Sequence, residues 1–488
     1  MPKTCVKNSK ETCREIYADV LVVGSGAAGL SAAIYAQNLG LSVSIIEKMP
    51  FPGGYSRFCE GIFAVESSIQ KERNVNLKKE DIFKNHMKST FWRADATLVQ
   101  RFINQSAQHI DWLQEMGVEF KDLTALSPKG PKTWHIFQGG GAAFIDTLVR
   151  QVNERNIKLL LNTALTAFKT SNNGDISGVI AMTNTGETID ISSKAIILAS
   201  GGYASNSELL KQRTNLPFEI KPVIDFAQTG EPIQCAWDIG AATNGNAVLL
   251  AIPCVDKEKP DSHLWTAGVQ PALWINKKGN RFCDETIFFE FPISANALSN
   301  QPGGEMYCIF DEALKKEMIE TGVPIGLGAF VPPHTKLTRL EQSLQRGFEN
   351  GTAFSDKTIS GLAQKIGADA RLLGETIDQY NSFCKNQLDE QFNKNPEYLK
   401  PIEAPRYFAV KCNTRLFTTL GGIRINPHTE VMDTSDNVIP GLYATGNCAD
   451  GMYGSDYEVQ TAGGALGFAV HSGITAANSS AGYIKEQH

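Results

Sequence analysis

The chain has 488 residues, with 42% hydrophobic and 20% charged side chains, so it is long enough for two or more globular units with sizeable cores. The formal net charge is -6 and the sequence has no basic block, which argues against nucleic acid as a partner. No apolar run approaches the ~18 residues of a membrane span, and the N-terminus lacks the apolar region of a secretory signal, so we expect a cytoplasmic protein.

The ten cysteines are scattered singly along the chain. The sequence has no CxxC pair, no CxxCH haem motif and no spacing typical of a zinc site. It therefore predicts reduced thiols, no bound metal, and no haem or iron–sulfur relay within the chain.

The first predicted elements are a strand, a glycine-rich turn and a helix. Residues 19–23 are rich in valine, and residues 27–39 are rich in helix-forming side chains. Three glycines have the G-x-G-x-x-G spacing: Gly24, Gly26 and Gly29. They allow a tight turn, a close approach of backbone to a pyrophosphate, and close packing of helix on strand. Because a helix N-terminus favours anions, the turn predicts a dinucleotide site that includes Ala27 and Ala28.

A second predicted strand, residues 41–47, ends in Glu47. This carboxylate stands about twenty residues beyond the glycines, where it can accept the hydroxyls of an adenosine ribose, and Lys48 is predicted beside it. The acid favours a ribose without a 2′-phosphate. A second glycine-rich loop follows, and its predicted cofactor contacts are Gly54, Tyr55, Ser56 and Gly61.

Later segments complete the predicted cofactor site. In the middle of the chain the predicted contacts are Ala164, Ser200, Gly201 and Gly202. Near the C-terminus, a strand and a glycine turn precede a helix that is predicted to begin near Gly463. A second helix N-terminus directed at the same cofactor suits a flavin, because the pyrimidine carbonyl of a flavin carries partial negative charge. The predicted contacts at this end are Gly446, Asn447, Gly463, Ala465 and Leu466.

Together these segments resemble the flavoproteins of the fumarate reductase/succinate dehydrogenase superfamily, which also includes 3-ketosteroid dehydrogenases and urocanate reductase. Four further motifs carry the resemblance, in this order: AIILASGGYASN, TGEPIQCAWDIGAA, WINKKGNRFCDET and TTLGGIRIN. The resemblance implies an α/β fold in which a Rossmann-like FAD-binding domain is built from residues 1–247 and 403–488. It also implies an inserted α+β capping domain, residues 248–402, that closes over the flavin.

The cofactor that the resemblance implies is FAD. The loop SRFCEG has no histidine near the position of covalent attachment, so we expect non-covalent FAD. A narrower resemblance, to tetrahydrodaidzein-reductase-like members, is kept as a hypothesis. Because the chain has no haem or cluster motif and one dinucleotide fingerprint, we expect an external electron donor, namely NAD(P)H, a reduced flavin or a small redox protein.

The sequence departs from the fumarate reductases at positions that would bind a dicarboxylate. Phe289 and Thr418 stand where the resemblance implies an arginine and a histidine, and the stretch SDYEVQTAGG lacks the arginine of the NRxGG motif. Burying a dianion without paired cations carries a large desolvation penalty. We therefore predict a neutral, largely apolar and multi-ring substrate, such as a ketosteroid or an isoflavonoid, rather than fumarate or succinate.

The segment MYGSDYE supplies the predicted catalytic residues, which are Tyr453, Ser455, Asp456 and Tyr457. A tyrosine can hydrogen-bond a substrate carbonyl and transfer a proton while a flavin exchanges hydride. Each tyrosine could instead pack the loop or bond the flavin, and Asp456 could orient a neighbour or cap the next helix. His135 and His263 are weaker candidates, with a structural role as the alternative. Arg281 is expected to form an ion pair with Glu285.

The favoured function is that of an FAD-dependent oxidoreductase that reduces or forms a C=C bond next to an activating group. Two alternatives stay open. One is the flavoprotein subunit of a fumarate reductase/succinate dehydrogenase-type electron-transfer complex, which predicts a covalent flavin and a docking surface. The other is a non-redox isomerase or hydratase that retains FAD, which predicts turnover without reoxidation of the flavin.

Overall fold

The computed structural model describes residues 14–126, 130–171, 175–328, 330–403, 406–459 and 461–487. Its strands are β1 (Arg14–Val23), β2 (Val43–Ile46), β3 (Gly61–Phe63), β4 (Phe120–Thr124), β5 (Trp134–Phe137), β6 (Lys158–Leu160), β7 (Thr163–Thr170), β8 (Ile176–Thr183), β9 (Thr188–Leu198), β10 (Lys221–Pro222), β11 (Val248–Cys254), β12 (Leu273–Asn276), β13 (Glu305–Asp311), β14 (Ala353–Asp356), β15 (Tyr407–Leu420), β16 (Glu430–Met432) and β17 (Val438–Ala444).

The α-helices are α1 (Ala27–Asn38), α2 (Ser68–Glu72), α3 (Lys79–Ser89), α4 (Ala96–Glu115), α5 (Gly140–Glu154), α6 (Ser207–Arg213), α7 (Glu231–Asp238), α8 (His263–Gly268), α9 (Phe291–Ser299), α10 (Glu312–Glu320), α11 (Leu340–Asn350), α12 (Ile359–Ile366), α13 (Ala370–Asn386) and α14 (Gly464–Glu486). Short 3₁₀ helices cover Gly54–Phe58, Glu285–Glu290, Pro302–Gly304, Pro396–Tyr398 and Gly446–Cys448.

The larger sheet has the strand order β16-β17-β9-β1-β2-β6, and the β7–β8 hairpin extends from β9. The five strands from β17 to β6 run parallel, whereas β16 pairs antiparallel with β17. The valine-rich end of β1 is buried on both faces, which is the pattern expected for the centre of a parallel sheet. Since β17 comes from the C-terminal part of the chain, this sheet joins both chain ends, as predicted.

Helices α1 and α14 pack closely against each other on this sheet. A β-carbon added at Gly473 would lie 2.3 Å from the carbonyl oxygen of Ala28, so the contact requires a glycine. Both helices begin where the sequence predicts, at Ala27 and at Gly464. Among the described ranges, no helix, α14 included, has the length and apolar character needed to cross a bilayer.

The second sheet has the order β10-β15-β13-β12, with β11 and β14 also paired to β15. Its core contains the buried side chains of Trp265, Trp274 and Phe310, which pack among helices that follow β11 in the chain. The predicted capping segment, 248–402, includes four of these six strands, whereas β10 precedes it and β15 follows it. The domain boundaries themselves stay a prediction.

A buried ionic cluster stabilises the region of the second sheet. Arg281 Nε lies 2.8 Å from Glu285 Oε1, and the Arg281 guanidinium also donates to both carboxylate oxygens of Asp389 at 2.8 Å. Lys394 Nζ lies 3.0 Å from Glu285 Oε2. Burial acts to raise the pKa of Glu285, but Lys394 and Arg281 together hold it below its ordinary value.

This cluster takes two charges from a polar stretch of the chain. Residues 385–400 look polar enough to be a loose connector or an exposed helix end. In the structure, Asp389 and Lys394 from this stretch are each 1% exposed and complete the ionic cluster. Two charged residues of this stretch are therefore buried in ion pairs, whereas most of its other residues are exposed. The expected pairing of Arg281 with Glu285 is present.

Candidate active site

A cavity of ≈ 1290 Å³ lies between the carboxyl ends of the parallel strands and the second sheet. One part of its wall comes from the turn after β1, the loop after β2 and the N-terminus of α14. The other part comes from β11, α8, the segment before α9 and the end of β15. The volume exceeds the ~300–1,000 Å³ of ordinary ligand pockets, which leaves room for a large cofactor together with a substrate.

The glycine turn after β1 is shaped by close packing on one side and open space on the other. A β-carbon at Gly29 would lie 1.9 Å from the carbonyl oxygen of Gly24, and one at Gly24 would lie 2.5 Å from that of Ala199. A β-carbon added at Gly26 would meet no atom closer than 3.5 Å, and this residue lines the cavity. The turn therefore presents bare backbone to the cavity, as a pyrophosphate requires.

Of the predicted cofactor residues, Gly29 does not line the cavity; its contribution is the packing of α1 against the turn. All the others line it: Gly24, Gly26, Ala27, Ala28, Glu47, Lys48, Gly54, Tyr55, Ser56, Gly61, Ala164, Ser200, Gly201, Gly202, Gly446, Asn447, Gly463, Ala465 and Leu466. These residues come from positions up to 442 apart in the sequence, yet they share one wall.

The carboxylate of Glu47 is fixed at the adenosine end of this wall. Its Oε2 accepts the backbone N–H and the hydroxyl of Ser25, at 2.9 and 2.7 Å, and its Oε1 accepts the N–H of Met49 at 2.9 Å. Each carboxylate oxygen can accept more than one donor, so the group can also receive a ribose hydroxyl. Lys48 is held by Thr229 and by Glu231, whose carboxylate lies 3.3 Å from the ammonium.

The opposite end of the cavity has polar groups that need a partner. Among the described residues, the buried hydroxyls of Ser200 and Tyr55 have no hydrogen-bond partner, and both residues line the cavity. The N-terminus of α14 has no side-chain cap, because Gly463 occupies the N-cap position with a φ of 80°. Orphaned donors, a bare helix N-terminus and a glycine cradle together fit an FAD molecule laid along this wall.

Tyr457 is the predicted catalytic residue that the structure places in the cavity wall. Its phenol faces the backbone N–H groups at the start of α14. Burial, and then the charge of Glu458, raises the pKa of the Tyr457 phenol, while the N–H groups of Ala465 and Gly464 act in the opposite direction. The group is therefore a neutral phenol at physiological pH, next to donors that can stabilise the phenolate formed when it gives up its proton.

The other three predicted catalytic residues lie outside the cavity wall. Tyr453 stands behind Tyr457, with ring centroids 5.2 Å apart, and among the described residues its buried hydroxyl has no partner. Ser455 hydrogen-bonds the Arg93 side chain, and Asp456 accepts a hydrogen bond from the Asn296 amide at 2.9 Å. These two contacts hold the loop against Arg93 and Asn296, and neither Ser455 nor Asp456 lines the cavity.

The chamber wall opposite the cofactor cradle is largely aromatic and aliphatic. It includes Trp265, Phe288, Phe289, Phe291, Ile325, Leu327 and Phe417. Among the described residues that line the cavity there is no arginine. The lysines on this side, at 121, 132 and 259, are solvent-exposed, so they do not place a buried cation in the chamber.

The two positions that differ from a dicarboxylate site both face the cavity. Phe289 lines it and packs edge-on against Tyr398, with ring centroids 5.6 Å apart. The Thr418 hydroxyl donates to the side chain of Gln228 and accepts a hydrogen bond from the Asn447 amide at 3.1 Å. The chamber therefore offers an apolar surface and neutral polar groups where a dianion would need cations.

The two weaker candidate histidines have structural partners. The His135 ring bonds the Ser67 hydroxyl at 2.7 Å and the Thr133 carbonyl at 3.0 Å, and burial lowers the pKa of His135 to about 4. His263 Nδ1 accepts the Arg339 backbone N–H at 3.0 Å. Neither residue lines the cavity, so the structural interpretation holds for both. Within the described ranges, no cluster of metal-binding side chains is present.

The fold and this cradle define an FAD-binding flavoprotein with a covered reaction chamber. The chain matches the family described as FAD binding domain over residues 19–461, and it belongs to that family. One relative is the vinyl phenol reductase of Lactiplantibacillus plantarum, which is 34% identical over 482 residues that cover 96% of this chain and 97% of that protein.

Two solved structures share the architecture. The open conformation of a flavocytochrome c3 fumarate reductase is 25% identical, with a TM-score of 0.73, and the match covers 96% of this chain and 79% of the other. The 3-ketosteroid delta1-dehydrogenase from Sterolibacterium denitrificans, in complex with 1,4-androstadiene-3,17-dione, shares the fold at 21% identity and a TM-score of 0.79, over 96% of this chain and 99% of the other.

These comparisons confirm the predicted superfamily, the fold class and FAD as the cofactor. The protein is an FAD-dependent oxidoreductase of the class that acts on C=C bonds. Non-covalent attachment, the identity of the electron donor and the narrower likeness to tetrahydrodaidzein reductases remain predictions.

Proposed function

We propose that the protein reduces a C=C bond that is conjugated to an aromatic ring or to a carbonyl group, in a neutral and largely apolar substrate. The observation that carries this proposal is the chamber wall, which is built from phenylalanine, tryptophan and aliphatic side chains without an arginine among the described lining residues. The activity for which the relative from Lactiplantibacillus plantarum is named, reduction of a vinyl phenol, supports an aryl-conjugated alkene. Multi-ring ketosteroids and isoflavonoids fit the same wall.

The cofactor is held by groups at both chain ends. The turn at Gly24 and Gly26 and the N-terminus of α1 receive the pyrophosphate, and Glu47 receives the ribose hydroxyls. The N-terminus of α14 and the side chains of Ser200 and Asn447 receive the ring system. FAD held by these residues would supply the hydride chemistry needed to reduce the double bond.

Tyr457 supplies the proton for the other carbon. It is a buried neutral phenol in the cavity wall, and the backbone N–H groups of Gly464 and Ala465 stabilise the phenolate that remains after proton transfer. A general acid in this position contributes roughly 10²–10⁴-fold to the rate. Solvent then returns the proton to Tyr457 before the next turnover.

The apolar wall selects substrates by charge. An unpaired carboxylate moved into such an environment loses several kcal/mol of solvation, and a dicarboxylate loses this twice. An aromatic ring, in contrast, gains by packing against side chains such as Phe289 and Phe291. The electrons come from an external donor, and NAD(P)H, a reduced flavin and a small redox protein are the three classes to be compared.

The test is anaerobic photoreduction of the purified FAD-containing protein, followed by separate additions of a hydroxystyrene, a multi-ring enone and fumarate. We expect the absorbance of oxidised flavin to return with at least one of the first two compounds and not with fumarate. Reoxidation by fumarate alone contradicts the proposal. Conversion of an alkene without any reoxidation would instead support the isomerase or hydratase alternative.

A further inference from the structure

A buried histidine–glutamate pair lies directly behind residues 452–458, which carry the predicted catalytic side chains and are called the catalytic loop below. His86, in α3, and Glu458, next to Tyr457, have side chains that are 0% and 3% exposed, and His86 Nδ1 lies 3.2 Å from Glu458 Oε2. The other ring nitrogen, His86 Nε2, lies 2.9 Å from the carbonyl oxygen of Met452. One imidazole therefore contacts the catalytic loop at two points, one on each side of Tyr453.

The hydrogen-bonding partners determine where the protons of this pair lie. A carbonyl oxygen can only accept, so His86 Nε2 carries a proton. Glu458 Oε2 accepts the backbone N–H and the hydroxyl of Thr461 at 3.1 and 2.9 Å, so this oxygen already acts as an acceptor. Without a proton between them, the Nδ1 lone pair would face a carboxylate oxygen in a site without solvent. The proton therefore belongs on Nδ1, and the pair is an imidazolium beside a carboxylate.

We propose that this protonated His86–Glu458 pair is the positioning element of Tyr457. The Nδ1 proton holds Glu458 against α3, and Glu458 holds Thr461 at the start of the turn into α14. Tyr457 immediately precedes Glu458 and is thereby kept against the N-terminus of α14. Without the two contacts of Glu458, Tyr457 loses its place. The catalytic consequence rests on the proposed function, whereas the protonation of the pair does not.

The neighbouring ionisable groups respond to the charge of Glu458. Burial is the main cause of the raised pKa of Tyr453, Tyr457 and the half-buried Glu290, and the Glu458 carboxylate adds to it in each case. The Tyr453 ring lies 5.9 Å from the His86 ring. The imidazolium offsets the negative charge that these three groups would otherwise face.

The substitution Glu458→Gln separates the geometry from the proton. A glutamine amide can accept the Thr461 N–H with its oxygen and donate its N–H to a neutral His86 Nδ1, so the same contact forms without the extra proton. We therefore expect Glu458→Gln to keep kcat within about threefold of the wild type. Glu458→Ala, which loses the contacts to His86 and Thr461, should lower kcat with little change in KM. His263→Gln, at a buried histidine outside the cavity, should keep the wild-type kcat and KM.

The decisive measurement is NMR on protein labelled with ¹⁵N-histidine and ¹³C-tyrosine, with resonances assigned through His86→Gln and Tyr457→Phe. In the wild type, we expect both His86 ring nitrogens to carry a proton. In Glu458→Gln, we expect a neutral His86 ring and a Tyr457 ring resonance at its wild-type position, whereas Glu458→Ala should shift the Tyr457 resonance. A neutral His86 in the wild type, or a Tyr457 resonance that does not move in Glu458→Ala, overturns the proposal. Failure of every alkene to reoxidise the flavin, with these NMR results intact, instead refutes the proposed function.

Discussion

Replacing Tyr457 with phenylalanine removes one hydroxyl group from the cavity wall and leaves its ring in place. The ring still packs against Tyr453, whose centroid lies 5.2 Å away, so the fold and the FAD content should not change. The Ala465 N–H loses a neighbouring acceptor, which costs about 1–3 kcal/mol of stability unless water from the cavity replaces it, whereas the Gly464 N–H keeps its hydrogen bond to the Thr461 carbonyl at 2.7 Å.

The rate effect of Tyr457→Phe should be much larger than its effect on stability. Loss of a general acid lowers the rate by roughly 10²–10⁴-fold, and each tenfold corresponds to about 1.36 kcal/mol, so the barrier rises by roughly 2.7–5.4 kcal/mol. The assay is stopped-flow reoxidation of photoreduced enzyme by a saturating aryl-conjugated alkene, followed by flavin absorbance.

A matched control is Tyr307→Phe, which removes a buried hydroxyl that donates to the Ile366 carbonyl at 3.3 Å in the second sheet. This control should lose about 1 kcal/mol of stability and retain the wild-type reoxidation rate. If Tyr457→Phe reoxidises within threefold of the wild type at equal FAD content, the assignment of Tyr457 as proton donor is refuted (a threefold change is about 0.65 kcal/mol).

Three further substitutions test other parts of the account. Gly29→Ala places a β-carbon 1.9 Å from a backbone oxygen of the glycine turn, so FAD per polypeptide should fall sharply by absorbance, whereas Gly374→Ala, which meets no atom within 4 Å, should keep full FAD content. Phe289→Arg puts a cation into the chamber, so reoxidation by neutral alkenes should slow and binding of an aryl acrylate anion, followed by flavin difference spectra, should tighten. Arg281→Met leaves the buried carboxylate of Asp389 without its cation, so thermal unfolding should show a loss of about 3–5 kcal/mol. The pKa of Asp389 is lowered to about 2 despite burial because Arg281 donates to it, so its stabilisation is present above its ordinary value, 3.8, and is lost as pH falls towards 2. Urea titrations of the wild type between pH 5 and 2 should show this loss, and those of Arg281→Met should show much less of it.

The parts of the site that the sequence predicts are those defined by local backbone chemistry. The spacing of Gly24, Gly26 and Gly29 fixes a turn, and Glu47 follows at a distance set by one helix and one strand. The role of these positions can therefore be predicted from the sequence without knowledge of the three-dimensional fold. The helix that begins at Gly464 is predicted for the same reason.

The parts that the sequence does not predict depend on long-range contacts. His86 and Glu458 meet across 372 residues, and Arg281 and Asp389 meet across 108, so no spacing in the sequence indicates either contact. The four candidates in MYGSDYE are too close together to be ranked by pattern, since only the packing of the loop decides that Tyr457 faces the cavity. The aromatic chamber wall has one local signal in the sequence, the phenylalanine-rich run IFFEFP. This run includes Phe289, the position where the resemblance to fumarate reductases implies an arginine.

The most direct measurement is a crystal structure of the FAD-bound protein with a neutral aryl-conjugated alkene or its saturated product in the chamber. We expect the cofactor to extend from Glu47 to the N-terminus of α14, the ligand ring to pack among the phenylalanines opposite, and the Tyr457 hydroxyl to lie within hydrogen-bonding distance of the reacting part of the ligand. A ligand bound outside this chamber, or a Tyr457 hydroxyl directed away from it, would contradict the account.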